Sequence, residues 1–298
     1  MSVMFFLKSR GGVLRIGDTT VFWNVFRIFL VFALLLVAPG AYAQNEISGP
    51  SCPGGKFGSD TILTGNVEMT KDDPVCIRLK DGANLDFRNH WIRCVSPEGC
   101  ATAVHASKPN STVFGGLIQS YTGNIAVAVH NAKRIHTMSI NSPTTGVLGD
   151  PEPGDYTKKV DNNPFMSCGA FCVDVVMPDS TSFIRANEIA SSIGGIKITG
   201  RDTNKSGRGP DVSSNIMSVV NTGLHQVGQD KKIRFFDNKI TDLNYPHTIP
   251  CLVENTSLMF DPNQWGGNTC SDPVCCPAAP ICPAPFSPGC TNNECVCQ

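Results

Sequence analysis

The sequence predicts an all-β protein, a single-stranded right-handed parallel β-helix with a disulfide-rich C-terminal tail. The main observation is a sequence repeat that extends from Asp86 to about Thr241. Each repeat has a run of alternating apolar and polar residues, a few polar residues, and then Gly with a second alternating run. A period of 20 to 50 residues indicates stacked units that cannot bury a core alone. No helical periodicity separates the short runs, and Gly and Asn end them, which is typical of strands. We expect about five to seven coils.

The two runs of the repeat alternate along the chain. The Gly-led run is clearest as GNIAVAV (123–129), GAFCVDV (169–175), GGIKI (194–198) and GLHQV (223–227). The other run appears as TVFGGLI (112–118), RIHTMSI (134–140), FIRANEI (183–189) and FFDNKI (235–240). Each run is therefore expected to form one strand of every coil.

Side-chain alternation along each strand predicts which residues form the core. In the Gly-led runs, Phe171, Val173 and Val175 are expected to point inward. Asn187 and Asn238 each precede a strand-ending isoleucine by two residues, where an inward amide can bond the backbone of the next coil. The predicted core is Val113, Ile125, Val127, Ile135, Val173, Ile189, Ile196, Ile198 and Ile240.

Composition divides the chain into four regions. Residues 1–43 resemble a signal peptide, because four basic residues precede the apolar stretch 28–38, and the Ala41-Tyr42-Ala43 pattern suits cleavage before Gln44. An uncleaved anchor is the alternative, although 11 apolar residues are too few to span a bilayer. Residues 44–83 are expected to form a leading segment and N-terminal cap, residues 84–245 the parallel β-helix, and residues 246–298 a Pro/Cys-rich tail.

All 14 cysteines follow the predicted cleavage site, and an even number in an exported chain favours disulfides. Metal ligation is the weaker alternative, since the paired C-x-x-C spacing typical of zinc sites is missing. Cys94 and Cys100, separated by a loop with Pro97 and Gly99, are predicted to form one bridge. Six cysteines lie in the repeat region and eight in the tail, so each group can pair within itself.

The segment 52–94 resembles the opening of secreted right-handed parallel β-helix repeat proteins of the pectin-lyase-like fold. The resemblance rests on TILTGN (61–66), Cys76 and ANLDFRNHWI (83–92), and it extends over roughly residues 52–245. The Gly that the family places before its histidine is missing here, because Asn89 is followed directly by His90. The resemblance implies the architecture but not one activity, since the family includes lyases, hydrolases, epimerases and proteins without known catalysis.

The outward residues of the Gly-led strands are the candidate site. The predicted outward stripe is Ala126, Cys172, Lys197 and His225, with Asp174 and Thr199 beside it. Asp174, Lys197, His225 and Asp202 are the candidate catalytic residues, because an acid, a base and a cation on one face can serve acid–base cleavage of a glycan. Asp202 belongs to the insertion 199–211, which is expected to wall a cleft. The alternative is an ordinary solvated β face.

Other motifs argue against specific chemistries. Glycoside hydrolysis uses two carboxylates, and the Asp-Asp and Gly-His-Gly motifs of polygalacturonase-type hydrolases are missing from the coil. The acidic loop DPEPGDY (150–156) and the repeated VHASK (104–108) and VHNAK (129–133), which place His105 over His130, are interpreted as a solvated loop and as repeat inheritance. The alternative in each case is a metal site. We expect no metal and no cofactor.

These observations leave two function classes. One is an exported β-helix that binds or processes extracellular polysaccharide, as a polysaccharide lyase or glycoside hydrolase if it is an enzyme. The other is a non-catalytic surface or matrix protein. Residues 44–298 carry 20 basic and 24 acidic residues, and no basic patch with interleaved aromatics occurs in the linear sequence, so nucleic acid is not an expected partner. We expect a secreted or periplasmic protein without a membrane span after signal cleavage; the sequence leaves its oligomeric state open.

Overall fold

The computed structural model describes the chain from residue 44 onward with several gaps, and it describes residues 8–9 and 12–13 of the preceding segment. The gaps after residue 44 are 81, 108–109, 151–156, 178–180, 192, 200–207, 221, 228–231, 243–248, 255–264, 267–268, 271–287, 292–293 and 298. The predicted signal peptide, apart from those four residues, lies outside the described part. So do the side chains of the eight C-terminal cysteines.

All regular secondary structure in the described residues is β-strand. No helix long and apolar enough to cross a membrane occurs in that part of the chain. One unit of the chain contributes a two-stranded antiparallel pair, β1 and β2, and the second unit, residues 43–298, contains the remaining strands. The strands in chain order are β1 Lys8–Ser9, β2 Gly12–Val13, β3 Asn45–Ile47, β4 Lys56–Phe57, β5 Thr61–Leu63, β6 Val67–Met69, β7 Val75–Leu79, β8 Leu85–Asp86, β9 Trp91–Cys94, β10 Cys100–Ala106, β11 Thr112–Ser120, β12 Ile125–His130, β13 Arg134–Asn141, β14 Thr145–Leu148, β15 Lys159–Asp161, β16 Phe165–Cys168, β17 Phe171–Val176, β18 Phe183–Arg185, β19 Glu188–Ser191, β20 Gly194–Thr199, β21 Arg208–Ser213, β22 Ile216–Val219, β23 Thr222–Val227, β24 Lys232–Phe236, β25 Lys239–Asp242, β26 Ile249–Glu254, β27 Trp265–Gly266, β28 Thr269–Cys270, β29 Pro288–Thr291 and β30 Glu294–Cys297.

The second unit is a parallel β-solenoid, as predicted. Each coil adds one strand to face 1, one to face 2 and one to face 3. Face 1 contains β4, β7, β10, β12, β14, β17, β20, β23 and β26. Face 2 contains β3, β5, β8, the first halves of β11 and β13, and then β15, β18, β21, β24 and β27. Face 3 contains β6, β9, the second halves of β11 and β13, and then β16, β19, β22, β25 and β28.

Six of the nine face-1 strands lie between residues 84 and 245, in agreement with the predicted coil number. Parallel pairing also continues upstream, because β4 pairs with β7 and β7 with β10. Residues 44–83 therefore contribute strands to the same stack. At the other end, β29 and β30 form an antiparallel hairpin that joins β28.

Eight of the nine predicted core residues are buried, and Val127 is the exception. The face-1 strands β10, β12, β14, β17, β20 and β23 each have two consecutive inward positions, so the alternation shifts by one residue within the strand. The first of these positions holds a small residue in each of these strands, and at Gly195 a Cβ would lie 2.8 Å from the carbonyl oxygen of Gly223 on the next coil. The buried small residues are Ala103, Ala128, Gly146, Cys172, Gly195 and Gly223.

This shift corrects three sequence-based assignments. Simple alternation predicted Val127 and Phe171 inside and Cys172 outside. The structure places Val127 and Phe171 half-exposed, and Cys172 fully buried. The prediction was right for Val173 and Val175, which follow the shift. A one-residue change of phase inverts the two sides of a strand, so alternation carried across the shift assigned Val127, Phe171 and Cys172 to the wrong side.

A buried asparagine ladder closes the turn between faces 2 and 3. It contains the predicted Asn187 and Asn238 and also Asn163 and Asn215. The Nδ2 group of Asn163 donates to Oδ1 of Asn187 at 2.7 Å, and the same contact links Asn187 to Asn215 and Asn215 to Asn238 at 2.9 Å. The residue before each asparagine has a positive φ of 53° to 55°, which turns the chain and aims the amide inward. The ladder therefore supplies hydrogen bonds to a buried turn that has no sheet partners.

The six cysteines of the repeat region pair among themselves. Cys94–Cys100 is bridged as predicted, with 5.9 Å between the Cα atoms. The other two bridges are Cys52–Cys76 and Cys168–Cys172. Disulfides of this kind form in oxidising compartments, so they are compatible with an extracellular protein.

Candidate functional site

The structure brings three of the four candidate residues into one outward column on face 1. Asp174 on β17 pairs with Lys197 on β20, which pairs with His225 on β23. The Lys197 Nζ atom lies 3.2 Å from Oδ2 of Asp174, and both side chains remain about 30% exposed. The fourth candidate, Asp202, lies outside the described residues. The column thus presents an ion pair and an imidazole on consecutive coils.

Phe171 completes this surface, and sequence reasoning missed it because alternation placed it inside. Its ring lies over Gly194 of the next coil, where a Cβ would overlap the ring atoms Cε1 and Cδ1. The ring centroid is 6.0 Å from Nζ of Lys197 and 5.8 Å from the imidazole centroid of His225. We call Phe171, Asp174, Lys197 and His225 the face-1 site. Gly194 is what allows the ring to lie against the strand.

The same column continues toward the N-terminal end as Leu148, His130 and His105. The two imidazoles are neighbours, as the repeat predicted, and they meet edge to face with 4.8 Å between their centroids. Nε2 of His130 lies 2.8 Å from Oδ2 of Asp150, the first residue of the acidic loop. No group of three or more His, Cys, Asp or Glu residues suited to a metal occurs in the part of the chain that the structure describes.

The face-1 site combines an apolar ring with charged and polar groups. An aromatic ring offers an apolar platform with a polarised face, and the adjacent ammonium, carboxylate and imidazole can donate and accept hydrogen bonds with hydroxyl groups. Hydrolysis of a glycosidic bond needs two carboxylates at a defined separation. Asp174, in the ion pair with Lys197, is one carboxylate on this column. Asp202, the candidate for the second carboxylate, lies outside the described residues.

Face 2 carries a second group of charged residues on its outer side. Arg134 donates to both carboxylate oxygens of the fully buried Asp161 through Nε at 2.9 Å and through a second guanidinium nitrogen at 2.8 Å. Arg234 contacts Asp211 in the same bidentate way at 2.6 Å. The linear sequence showed no basic patch, because each coil contributes separate charges that meet only across strands.

The pKa values of two residues on face 2 are shifted by this arrangement. Burial lowers the pKa of His136 and the charge of Arg134 lowers it further, against the opposing effect of Asp161. Burial alone would raise the pKa of Asp161, but hydrogen bonds and charge from Arg134, with the charges of His136 and Arg185, bring it below its ordinary value. Both shifts disfavour protonation in the folded state.

We expect acid to weaken the fold in two stages because of these shifts. A group whose folded pKa is depressed stabilises the fold above its unfolded pKa and loses that contribution as the pH falls. For His136 the loss begins below about 6.5, and for Asp161 it begins below about 3.8. Urea unfolding of the wild type and His136→Gln at several pH values between about 7 and 5 tests the first stage. An equal pH slope in both proteins would contradict it.

Comparison with protein-family models, with curated proteins and with solved structures finds no match for this chain. The parallel β-solenoid is therefore established by the coordinates of the chain itself.

Proposed function

We propose that the protein binds an extracellular polysaccharide along face 1, with the face-1 site as the contact surface. The observation that carries the proposal is the Phe171 ring, which lies against Gly194 with the ammonium of Lys197 and the imidazole of His225 about 6 Å away. Face 1 is a flat stack of strands with a spacing of about 4.8 Å per coil, so an extended chain of sugars can contact several coils. Export to a secreted or periplasmic location is part of this proposal.

Cleavage of the bound glycan, as a polysaccharide lyase or glycoside hydrolase, is the catalytic form of the same proposal. In that form Asp174 serves as the base or acid and Lys197 stabilises developing negative charge, because the two groups already lie within hydrogen-bonding distance. Asp202 remains the candidate for the second carboxylate.

Affinity gel electrophoresis with a panel of soluble polysaccharides, including xylan, a mixed-linkage β-glucan and polygalacturonate, tests the binding proposal. We expect retardation by at least one polymer and a loss of affinity of about tenfold in Phe171→Ala, since central aromatic contacts dominate binding. The matched control is Phe165→Ala, because Phe165 is a 40% exposed phenylalanine on face 3. No retardation by any polymer, or equal retardation of Phe171→Ala, would refute the proposal.

The retarding polymer then tests catalysis. Incubation with wild-type protein is followed by absorbance of unsaturated products and by reducing ends, with Asp174→Asn as the inactive variant. If the Asp174→Asn variant still forms product, Asp174 is not a catalytic residue. If the wild type forms no product, the protein binds the polysaccharide without cleaving it.

The alternative function is that of a non-catalytic surface or matrix protein. Exposed apolar side chains on face 3 favour it: Phe165 on β16 and Ile216 on β22, two coils apart, are 40% and 48% exposed. If no polysaccharide binds, this alternative takes the place of the first proposal.

A further inference from the structure

Face 2 presents an outward row of charged and aromatic residues that the face-1 site does not use. Lys159 on β15 pairs with Phe183 on β18, and Asp161 pairs with Arg185 on the same two strands. The Nζ atom of Lys159 lies 5.3 Å and the guanidinium of Arg185 4.1 Å from the centroid of the Phe183 ring. One aromatic ring thus has two cations around it, contributed by two successive coils.

Two Arg–Asp pairs, Arg134–Asp161 and Arg234–Asp211, lie on either side of the cluster. On one side, Asp161, on the same strand as Lys159 and opposite Arg185, is buried, and both its oxygens accept hydrogen bonds from Arg134 of the preceding coil. On the other side, Asp211 pairs with Arg234. Within the described part of the chain, Lys159 and Arg185 have no carboxylate at salt-bridge distance. The cluster of Lys159, Phe183 and Arg185 therefore carries two positive charges on a chain whose residues 44–298 have a net charge of −4.

We propose that the cluster of Lys159, Phe183 and Arg185 binds a sulfate group of a sulfated polysaccharide through its two cations. A cation above an aromatic face keeps its outer side free for an anion. The guanidinium donates two parallel hydrogen bonds, and the ammonium donates from a second direction. A sulfate group offers three terminal oxygens in a tetrahedral arrangement, so it can accept from both directions at once, whereas the two oxygens of a carboxylate lie in one plane.

The shape of the face favours a polysaccharide over other polyanions. The cations lie on a sheet whose strands repeat at about 4.8 Å, so an extended polymer can follow the row from coil to coil. The three disulfides are compatible with an extracellular protein, where sulfated glycans are available and nucleic acids are not usual partners. This inference concerns a different face from the proposed function, and each can fail separately.

The test compares two ligands that differ only in the proposed group. Chondroitin sulfate and chemically desulfated chondroitin of equal length share the same sugars and carboxylates. With the full chain in isothermal titration calorimetry at moderate salt, we expect the sulfated form to bind about tenfold more tightly, and the Lys159→Gln/Arg185→Gln variant to lose that difference. Added salt is expected to weaken the binding, because exposed charges are screened.

Controls separate this site from general charge and from other polyanions. Lys71→Gln/Lys239→Gln removes two exposed lysine charges elsewhere and should keep the tenfold preference. The single variant Lys159→Gln, checked by circular dichroism, gives an intermediate affinity if the double variant folds poorly. Equal binding of both chondroitin forms, an unchanged preference in the double variant, or tighter binding to an oligonucleotide or to phosphatidylserine vesicles would overturn the proposal.

Discussion

Replacing Asn187 by Ala is expected to lower the free energy of unfolding by about 3 kcal/mol or more, because a buried group left without a partner costs about 1–3 kcal/mol. The side chain of Asn187 donates to the carbonyl of Val160 at 3.0 Å and to Oδ1 of Asn215 at 2.9 Å. It also accepts from the backbone N–H and the side-chain amide of Asn163 at 3.2 and 2.7 Å. The substitution therefore leaves several buried groups unsatisfied on two coils.

Urea unfolding followed by circular dichroism measures this effect. The control is Glu188→Ala, since Glu188 follows Asn187 directly and is exposed, so its loss should change stability by less than about 0.5 kcal/mol. If Asn187→Ala unfolds at the wild-type urea concentration, the ladder is not a major source of stability.

Replacing Phe87 by Ala is expected to destabilise the protein by about 3–5 kcal/mol, the usual range for a phenylalanine truncated in a core. Phe87 is fully buried. Its ring packs against the next coil at Gly116, where an added Cβ would lie 2.8 Å from the ring atom Cδ1. The neighbouring Gly115 has a φ of 80°, so the chain turns here without a side chain that could fill the space. The resulting cavity would remain largely open.

Phe114→Ala is the matched comparison for Phe87→Ala. Phe114 is half-exposed on the next coil and stacks on His136 with 5.2 Å between ring centroids. Because that ring contributes mainly one aromatic pair, its loss should cost about 0.5–1.5 kcal/mol. Equal destabilisation by the two variants, measured by the same urea titration, would show that burial of Phe87 is not what sets its contribution.

Much of the architecture could be predicted because its signals are local. Alternating apolar residues at coil spacing located Ile135, Ile189 and Ile240 in the core. The short loop between Cys94 and Cys100 located one disulfide. Asn163 and Asn215 were missed, because the expected sequence signal for a ladder asparagine is an isoleucine two residues later. Each of these two asparagines is followed by a buried methionine instead, although each also has a positive-φ residue before it.

The face-1 site could be predicted in part. Lys197, Asp174 and His225 were placed near one another because coils stack in register, and the structure does align them. Phe171 was missed because two consecutive residues of its strand turn inward. That shift follows from how closely the backbone of one coil approaches the next, which is a property of the packed stack and not of any short segment.

The β-solenoid class, most of the inward residues and the presence of disulfides could be predicted from the sequence, since alternation, turn residues and cysteine number act within a few residues or as bulk properties. The phase of the face-1 strands, the length of the asparagine ladder and the cationic cluster around Phe183 follow only from the packing of one coil on another. These depend on contacts between residues about 25 positions apart, which meet because one coil lies on the next. Groups of side chains from different coils therefore cannot be recognised from the residue pattern of any single coil.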